Sequence, residues 1–184
     1  IFDEEFLAEL KNLKYKNLTI EILKKLLNDE LKFRSKRNII RYKSLSELLQ
    51  KTIDQYEDNI INSSKVIERL IELAKEIKKV EKEGVNIGLT EEELAFYDVM
   101  SSGKSVLKKS EKIKDFVKEL VRVIKRDLTV DWTNKEIIKA RIKTNIKLML
   151  FKNKLPIDEA EYLVDQIYTQ ARFLYKDFQI KDLP

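Results

Sequence analysis

The stretch SLSELLQKTIDQYEDNIINSSKVIERLIELAKEIKKVEKE, residues 44–83, contains neither Gly nor Pro and is the main indicator of the fold class. Residues that can pack recur along it at spacings of three and four: Leu49, Thr52, Tyr56, Ile60, Ser63, Ile67, Leu70, Ala74 and Ile77. This period places them on one face of an α-helix. Ser44 and Glu47 have the spacing of a capping box, and Gly84 follows where a C-cap is expected. We therefore predict one long helix over about residues 44–83.

The length of this predicted helix indicates an unusual shape. At 1.5 Å per residue it would be roughly 60 Å long, whereas a compact chain of this size has a radius of gyration of only ~16 Å. We therefore expect an elongated multi-helix bundle organised around this helix, with a partner along the exposed part of its apolar face.

Composition indicates an all-α protein without a membrane span. The chain has 184 residues, of which 43% are hydrophobic and 38% charged, with only three Gly and two Pro. Few breakers mean few, long elements, and no run of eighteen apolar residues is present. We expect a single helical domain over 1–184. A candidate subdomain break at 84–89, where two glycines stand close together, would separate a long-helix part (1–83) from a C-terminal helical bundle (90–184).

The absence of Cys and His narrows the chemistry. It excludes disulfides, thiol nucleophiles, and thiolate or imidazole metal ligands, and it removes the usual general base. We assign no catalytic residue, no metal site and no cofactor to this chain, and we expect it in the cytoplasm because Cys is absent. The N-terminus, IFDEE at residues 1–5, is acidic and lacks Met, so we expect the chain to be a fragment of a larger protein.

Two basic segments are the candidate binding residues. The first has six cations and no acid: Lys32, Arg34, Lys36, Arg37, Arg41 and Lys43. The second begins at Lys135 and, from 137 to 157, carries no acid. Its members at spacings of four form a ridge: Lys135, Lys139, Lys143 and Lys147, with Arg141 nearby. Either segment could be an ordinary solvated surface, or it could bind nucleic-acid phosphate or an acidic protein.

Three smaller features of the sequence concern local structure. Thr90 and Glu93 form a further capping box at the start of a helix. Gly103-Lys104-Ser105 resembles the end of a phosphate-binding loop, but Asp98 occupies the position of the first glycine, so we reject this interpretation. Trp132 is interpreted as a core residue rather than a stacking platform for a base.

Three stretches resemble the C-terminal helical region of the motor and restriction (R) subunit of type I restriction enzymes. They are EFL at 5–7 with LLNDE at 26–30 and RSK at 34–36; LTEEELAFYD at 89–98; and VDWT at 130–133 with AR at 140–141 and the basic amphipathic run to Leu150. The similarity extends over nearly the whole chain. It departs at 151–156, where many relatives have a Gly-Tyr-Pro-Pro-like turn.

The resemblance implies a function that the residue pattern alone does not indicate. Such R subunits carry a nuclease domain and two ATP-driven motor domains, for which ATP and Mg²⁺ are expected upstream of this region. The helical region is linked to docking the motor on the methyltransferase (M) and specificity (S) subunits. The resemblance therefore implies that the chain is a C-terminal fragment of a larger protein and an assembly domain of a type I site-specific deoxyribonuclease, with duplex DNA as a second candidate partner.

Three functions therefore stay open at this point. Docking on a protein predicts an exposed apolar strip, which we place on the long helix or on the helix from Asp158 to Phe178. Direct binding of the DNA backbone through the basic helix faces is the alternative, and it predicts a steep salt dependence. A hydrolase that uses carboxylates such as Asp98 and Asp131 is the third.

Overall fold

The computed structural model describes residues 2–102 and 112–178. All regular secondary structure in these residues is helical, which confirms the all-α class. The helices are α1 (Glu4–Asn12), α2 (Lys16–Arg37), α3 (Ile39–Glu57), α4 (Ser63–Val85), α5 (Glu91–Ser102), α6 (Lys112–Asp127), a 3-10 helix (Trp132–Asn134), α7 (Glu136–Lys152) and α8 (Ile157–Leu174). Residues 103–105 lie outside the described part of the chain. None of the described helices is long and apolar enough to cross a membrane.

The described residues form two compact units. The N-terminal unit takes its residues from Ile1–Ser35 and Arg41–Gly88, and the C-terminal unit takes its residues from Lys36–Ile40 and Leu89–Pro184. Each unit has its own hydrophobic core. The short segment Lys36–Ile40, which contains the junction of α2 and α3, therefore belongs to the C-terminal unit although its neighbours in sequence do not.

The prediction of one long helix over 44–83 is wrong, because the chain turns back within it. Helix α3 ends at Glu57 and α4 begins at Ser63. Asn59 adopts the left-handed conformation with φ 57°, which Asn tolerates better than most residues. Asn62 then caps α4, its side-chain oxygen accepting a hydrogen bond from the Lys65 amide at 2.9 Å. Ile60, a member of the predicted stripe, is 67% exposed at this turn.

The two halves of the stretch pack as an antiparallel helix pair. Arg69 near the start of α4 hydrogen-bonds Gln55 near the end of α3. Arg41 near the start of α3 donates to the carbonyl oxygen of Val80 at 3.3 Å. The apolar stripe is therefore folded against itself and buried in the core of the N-terminal unit. A straight helix would have left much of that face in water, so burial of apolar surface favours the turn.

Both predicted ends of the long helix are also wrong. Helix α3 begins at Ile39, so Ser44 lies inside it and makes no cap. Ser46 instead donates to the carbonyl oxygen of Tyr42 at 3.0 Å, one turn back. At the other end α4 continues through Gly84 to Val85, and the left-handed glycine is Gly88, with φ 76°. Glycine is favoured at position 88 because it has no Cβ to oppose a positive φ.

The C-terminal unit packs α5 to α8 around a core that includes Trp132. The capping box at the start of α5 is confirmed: the Thr90 amide donates to Glu93 at 2.9 Å, and the Glu93 amide donates to Thr90 at 3.2 Å. Trp132 is fully buried, which confirms its interpretation as a core residue. Its ring meets Tyr168 edge-on at 6.1 Å, and its indole N–H donates to the carbonyl oxygen of Tyr175 at 2.7 Å.

The side chain of Gln170 satisfies the backbone where α2 gives way to α3. Gln170 is fully buried in α8. Its amide nitrogen donates to the carbonyl oxygen of Arg37 at 3.0 Å, and its oxygen accepts from the amide of Ile39 at 2.9 Å. Between them, Asn38 donates to Asp98 at 2.6 Å. Helix ends expose backbone groups that cannot pair within the helix, and one glutamine satisfies a group on each side of this junction.

We expect Gln170→Leu to lower the free energy of unfolding by about 2–4 kcal/mol, because two part-buried backbone groups would lose their partner, each in the lower part of the ~1–3 kcal/mol range for an unsatisfied group. Urea denaturation monitored by circular dichroism measures this loss. The control is Gln166→Leu, one turn earlier on α8, where the side chain is only partly buried. A loss in Gln170→Leu no greater than in the control would show that these hydrogen bonds do not stabilise the junction.

Tyr175 gives the C-terminal unit a pH dependence of stability. Burial raises the pKa of the Tyr175 phenol, and the neighbouring Glu92 carboxylate, which accepts its hydrogen bond at 3.3 Å, raises it further. The neutral phenol is thus favoured in the folded state. This contribution to stability is fully present below the usual tyrosine pKa of about 10 and is lost as the pH rises above it.

We therefore expect the stability advantage of the wild-type chain over Tyr175→Phe to shrink between about pH 10 and 11, by up to ~1.4 kcal/mol per pH unit. Urea unfolding at pH 8, 9, 10 and 11 measures it. Tyr162→Phe is the control, because Tyr162 is 55% exposed. A difference between wild type and Tyr175→Phe that stays constant with pH would contradict the prediction.

Candidate functional site

Arg34, in the first basic segment, is held by acids of its own unit. Its guanidinium pairs with Glu30 at 2.6 Å and with Glu81 at 3.2 Å, and it lies 5.8 Å from the ring centre of Tyr42. Partial burial alone would lower the pKa of Arg34, but hydrogen bonds to Tyr42 and Glu30 outweigh it and raise the pKa above its usual value. Arg34 therefore joins α2, α3 and α4 within the N-terminal unit.

The other members of this segment are divided between the two units. Arg37 pairs with Glu91 at 2.8 Å in the C-terminal unit. Arg41 donates to a backbone oxygen of α4, and Lys43 lies 4.0 Å from Glu47. Lys32 and Lys36 are exposed and belong to different units. The six residues are thus distributed over two units, and several have acidic or backbone partners.

The lysines of the second segment point mostly toward acids. Lys135 donates to the carbonyl oxygen of Val130 at 2.8 Å, and Lys139 pairs with Glu136 at 2.7 Å. The hydrogen bond and charge of Lys139 lower the pKa of Glu136.

The last two lysines of the ridge reach across to α8. Lys143 lies 3.8 Å from Asp165 and 4.5 Å from the ring centre of Tyr168. Lys147 pairs with Glu161 at 3.3 Å. These exposed pairs are weak and exchangeable, so binding of nucleic acid or of an acidic protein by the ridge stays a prediction.

A row of exposed, mainly apolar side chains follows the side of α7 away from the core. Its members stand at spacings of three and four and are all exposed: Ile137, Ala140, Arg141, Thr144, Leu148 and Phe151. We call this row the α7 outer face. Ile137 is 76% and Leu148 is 60% exposed. The buried residues Ile142, Ile146 and Leu150 lie on the opposite side, so α7 is apolar on two sides, and Arg141 carries the single charge of the outer face.

The exposed apolar strip that the sequence predicted is thus on a different helix. The long helix does not exist as one element, and its apolar stripe is largely buried. On α8 the exposed apolar residues Ile157, Tyr162 and Phe173 are separated by five and eleven positions and do not form a continuous row. In the sequence, the apolar residues of α7 are distributed evenly around the helix, which indicates an apolar surface on more than one side. A search for a single amphipathic stripe does not detect this pattern.

A groove at the C-terminal end of α8 was not predicted. It has a volume of about 340 Å³ and is lined by Thr133, Asn134, Thr169, Arg172, Phe173 and Lys176. We call it the α8 groove. Its lining contains two cations and no carboxylate. The sequence does contain a pattern that indicates a basic site here: Arg172 and Lys176 stand four apart on either side of an aromatic residue.

The two carboxylates of the hydrolase hypothesis have different surroundings in the structure. Asp98 accepts the hydrogen bond from Asn38, and Asp131 is exposed, with φ 56°, just before the 3-10 helix. Within residues 2–102 and 112–178 no three acidic, His or Cys side chains are grouped so that they could hold a metal ion.

Comparison with known proteins gives a consistent result over most of the chain. A family model described as type I restriction enzyme HindI endonuclease subunit-like, C-terminal, matches residues 1–177. The putative type I restriction enzyme MjaIXP endonuclease subunit of Methanocaldococcus jannaschii is 35% identical over 173 residues, which cover 88% of this chain and 17% of that protein.

A second relative has the same description. The type I restriction enzyme HindI endonuclease subunit of Haemophilus influenzae is 30% identical over 179 residues, covering 96% of this chain and 17% of that protein. The chain therefore spans about a sixth of the length of these curated relatives. No solved structure matches it significantly.

Proposed function

The chain belongs to the type I restriction enzyme HindI endonuclease subunit-like, C-terminal family, and we propose that it is a non-catalytic helical assembly domain. In this proposal it docks the motor subunit onto the methyltransferase and specificity subunits of a type I restriction complex in the cytoplasm. ATP and Mg²⁺ would act on other parts of the subunit, which translocates and cleaves DNA. The single observation that carries the docking role is the α7 outer face.

The chemistry of this face favours a protein partner. Four of its six members are apolar, and they extend over four turns of one helix. An exposed helix face of this kind fits a hydrophobic groove or another helix, with anchor residues at spacings of three, four and seven. Arg141 at its middle would need an acidic group on the partner, because a cation buried without one is costly.

The lysine ridge gives weaker support to a DNA-binding role for the same helix. A ridge of lysines without acidic neighbours would present four unneutralised positive charges to phosphates. In this chain Lys139, Lys143 and Lys147 each have a carboxylate nearby, and these acids would repel a DNA backbone. The outer face itself offers one cation along its whole length, which is too few for strong binding to duplex DNA.

We expect Ile137→Gln with Leu148→Gln to weaken binding to a purified methyltransferase–specificity core about tenfold or more, because a few large anchor residues carry most of the binding energy of an interface. Both side chains are exposed, so the fold should persist, which circular dichroism verifies. Biolayer interferometry with the immobilised core measures the dissociation constant. The matched control is Ile157→Gln with Tyr162→Gln, two exposed apolar residues on α8.

Three outcomes would contradict the docking proposal. The wild-type chain could fail to bind the core, or the α7 and α8 variants could lose affinity equally. In the third outcome, the chain would bind instead to the part of a relative's endonuclease subunit that this chain does not cover. The α7 variant would abolish that contact. The α7 outer face would then be an internal surface of the subunit rather than a docking site for the core.

A further inference from the structure

The α8 groove combines features that recognise an unpaired nucleic-acid strand, and we propose that it binds one. Arg172 and Lys176 would contact successive phosphodiesters, and Phe173 would stack on a base. This inference does not depend on the docking proposal, because it uses a different set of residues in the C-terminal unit.

The groove is built by the same contacts that fix Trp132. Trp132 is buried, and its indole N–H is hydrogen-bonded to the carbonyl oxygen of Tyr175 at the end of α8. This bond holds the 3-10 helix against the last turn of α8. The next two residues, Thr133 and Asn134, therefore line the groove together with Thr169 and Arg172. Its volume of about 340 Å³ lies within the range of small-molecule sites, ~300–1,000 Å³.

Charge distinguishes this groove from other cavities of the molecule. Four other cavities each include at least two carboxylates in their lining, for example Glu72 and Glu76 in one and Asp115 and Glu119 in another. The α8 groove has none. Within the described residues, Arg172 and Lys176 take part in no ion pair, in contrast to Lys143 and Lys147 of the ridge. A cavity with two unneutralised cations attracts an anion.

Stabilisation of helix α8 by its basic side chains would explain only part of the composition of the α8 groove. Basic side chains near the C-terminal end of a helix interact favourably with its dipole, and Arg172 is in the last turn of α8. That effect does not account for Lys176, which lies beyond the helix and stands four residues from a like charge. It also does not account for the two threonines and one asparagine that add hydrogen-bonding groups to the same groove.

The combination of groups specifies the ligand. The Arg172 guanidinium can bind a phosphate with two hydrogen bonds, and Lys176 adds a point charge. Phe173 lies between them in sequence and is 51% exposed. An aromatic ring beside a basic groove is the arrangement by which proteins hold single strands, because unpaired bases have free faces for stacking. Free phosphate would leave Phe173 unused, and a duplex would keep its bases stacked on one another.

The test compares binding of a fluorescein-labelled ten-residue oligothymidine and of a ten-base-pair duplex to the 184-residue chain by fluorescence anisotropy over a salt series. We expect the single strand to bind more tightly than the duplex. Arg172→Gln with Lys176→Gln should weaken single-strand binding about tenfold or more and reduce the slope of log K against log salt by roughly 1.4, which is two contacts at ~0.7 each.

The matched control for charge is Lys118→Gln with Arg122→Gln. These residues are also one lysine and one arginine four apart and exposed, but they lie on α6. We expect this control to change affinity by less than about twofold and to leave most of the salt slope intact. Phe173→Ala should weaken single-strand binding roughly fivefold or more without changing the slope, because stacking contributes no counterion release.

Several results would overturn the proposal. One is the absence of binding to the single strand. A second is equal loss in the groove and α6 variants, which would indicate attraction to net charge alone. A third is a Phe173→Ala variant that binds like the wild type, together with equal affinity for duplex and single strand. None of these results bears on binding to the methyltransferase–specificity core, so failure of this proposal and failure of the docking proposal are distinguishable.

Discussion

The backbone groups at helix ends must find partners, and in the C-terminal unit two buried side chains provide them. Gln170 satisfies one group on each side of the junction between α2 and α3, and the Trp132 indole satisfies the carbonyl oxygen of Tyr175 just after α8. A buried polar group without a partner costs more than the net gain from an ordinary hydrogen bond. These bonds therefore fix where the chain changes direction, and the surfaces described above follow from those positions.

Helix packing also determines which charges remain available to a partner. The lysines of α7 are separated from the acids of α8 by more than ten residues, yet the two helices place Lys147 beside Glu161 and Lys143 near Asp165. At the end of α8 no acid lines the groove, and among residues 2–102 and 112–178 Arg172 and Lys176 pair with no carboxylate. A run of basic residues in sequence is therefore a poor guide to positive potential when the neighbouring helix is acidic.

The C-terminal unit consequently carries two surfaces of different chemistry. The α7 outer face is apolar with one charge, and the α8 groove is basic with one exposed aromatic ring. An apolar face gains free energy from leaving water, whereas a basic groove gains it from releasing counterions. In the two proposals the apolar face binds a protein core and the basic groove binds a nucleic-acid strand, and salt would affect the two contacts differently. This difference makes the two roles separable by experiment.

The sequence by itself determined the helical class, the capping box at Thr90 and Glu93, the core position of Trp132 and the family. These depend on local periodicity, on hydrogen bonds three residues apart, or on residue identity, all of which a sequence contains. Only the tertiary structure decided that residues 44–83 form two antiparallel helices. A single left-handed residue at Asn59 reverses the chain while the spacing of three and four continues on both sides, so periodicity does not reveal the turn. The partners of the α7 lysines, the α7 outer face and the α8 groove likewise depend on which helices pack together. That choice is made by the burial of apolar surface between segments distant in sequence.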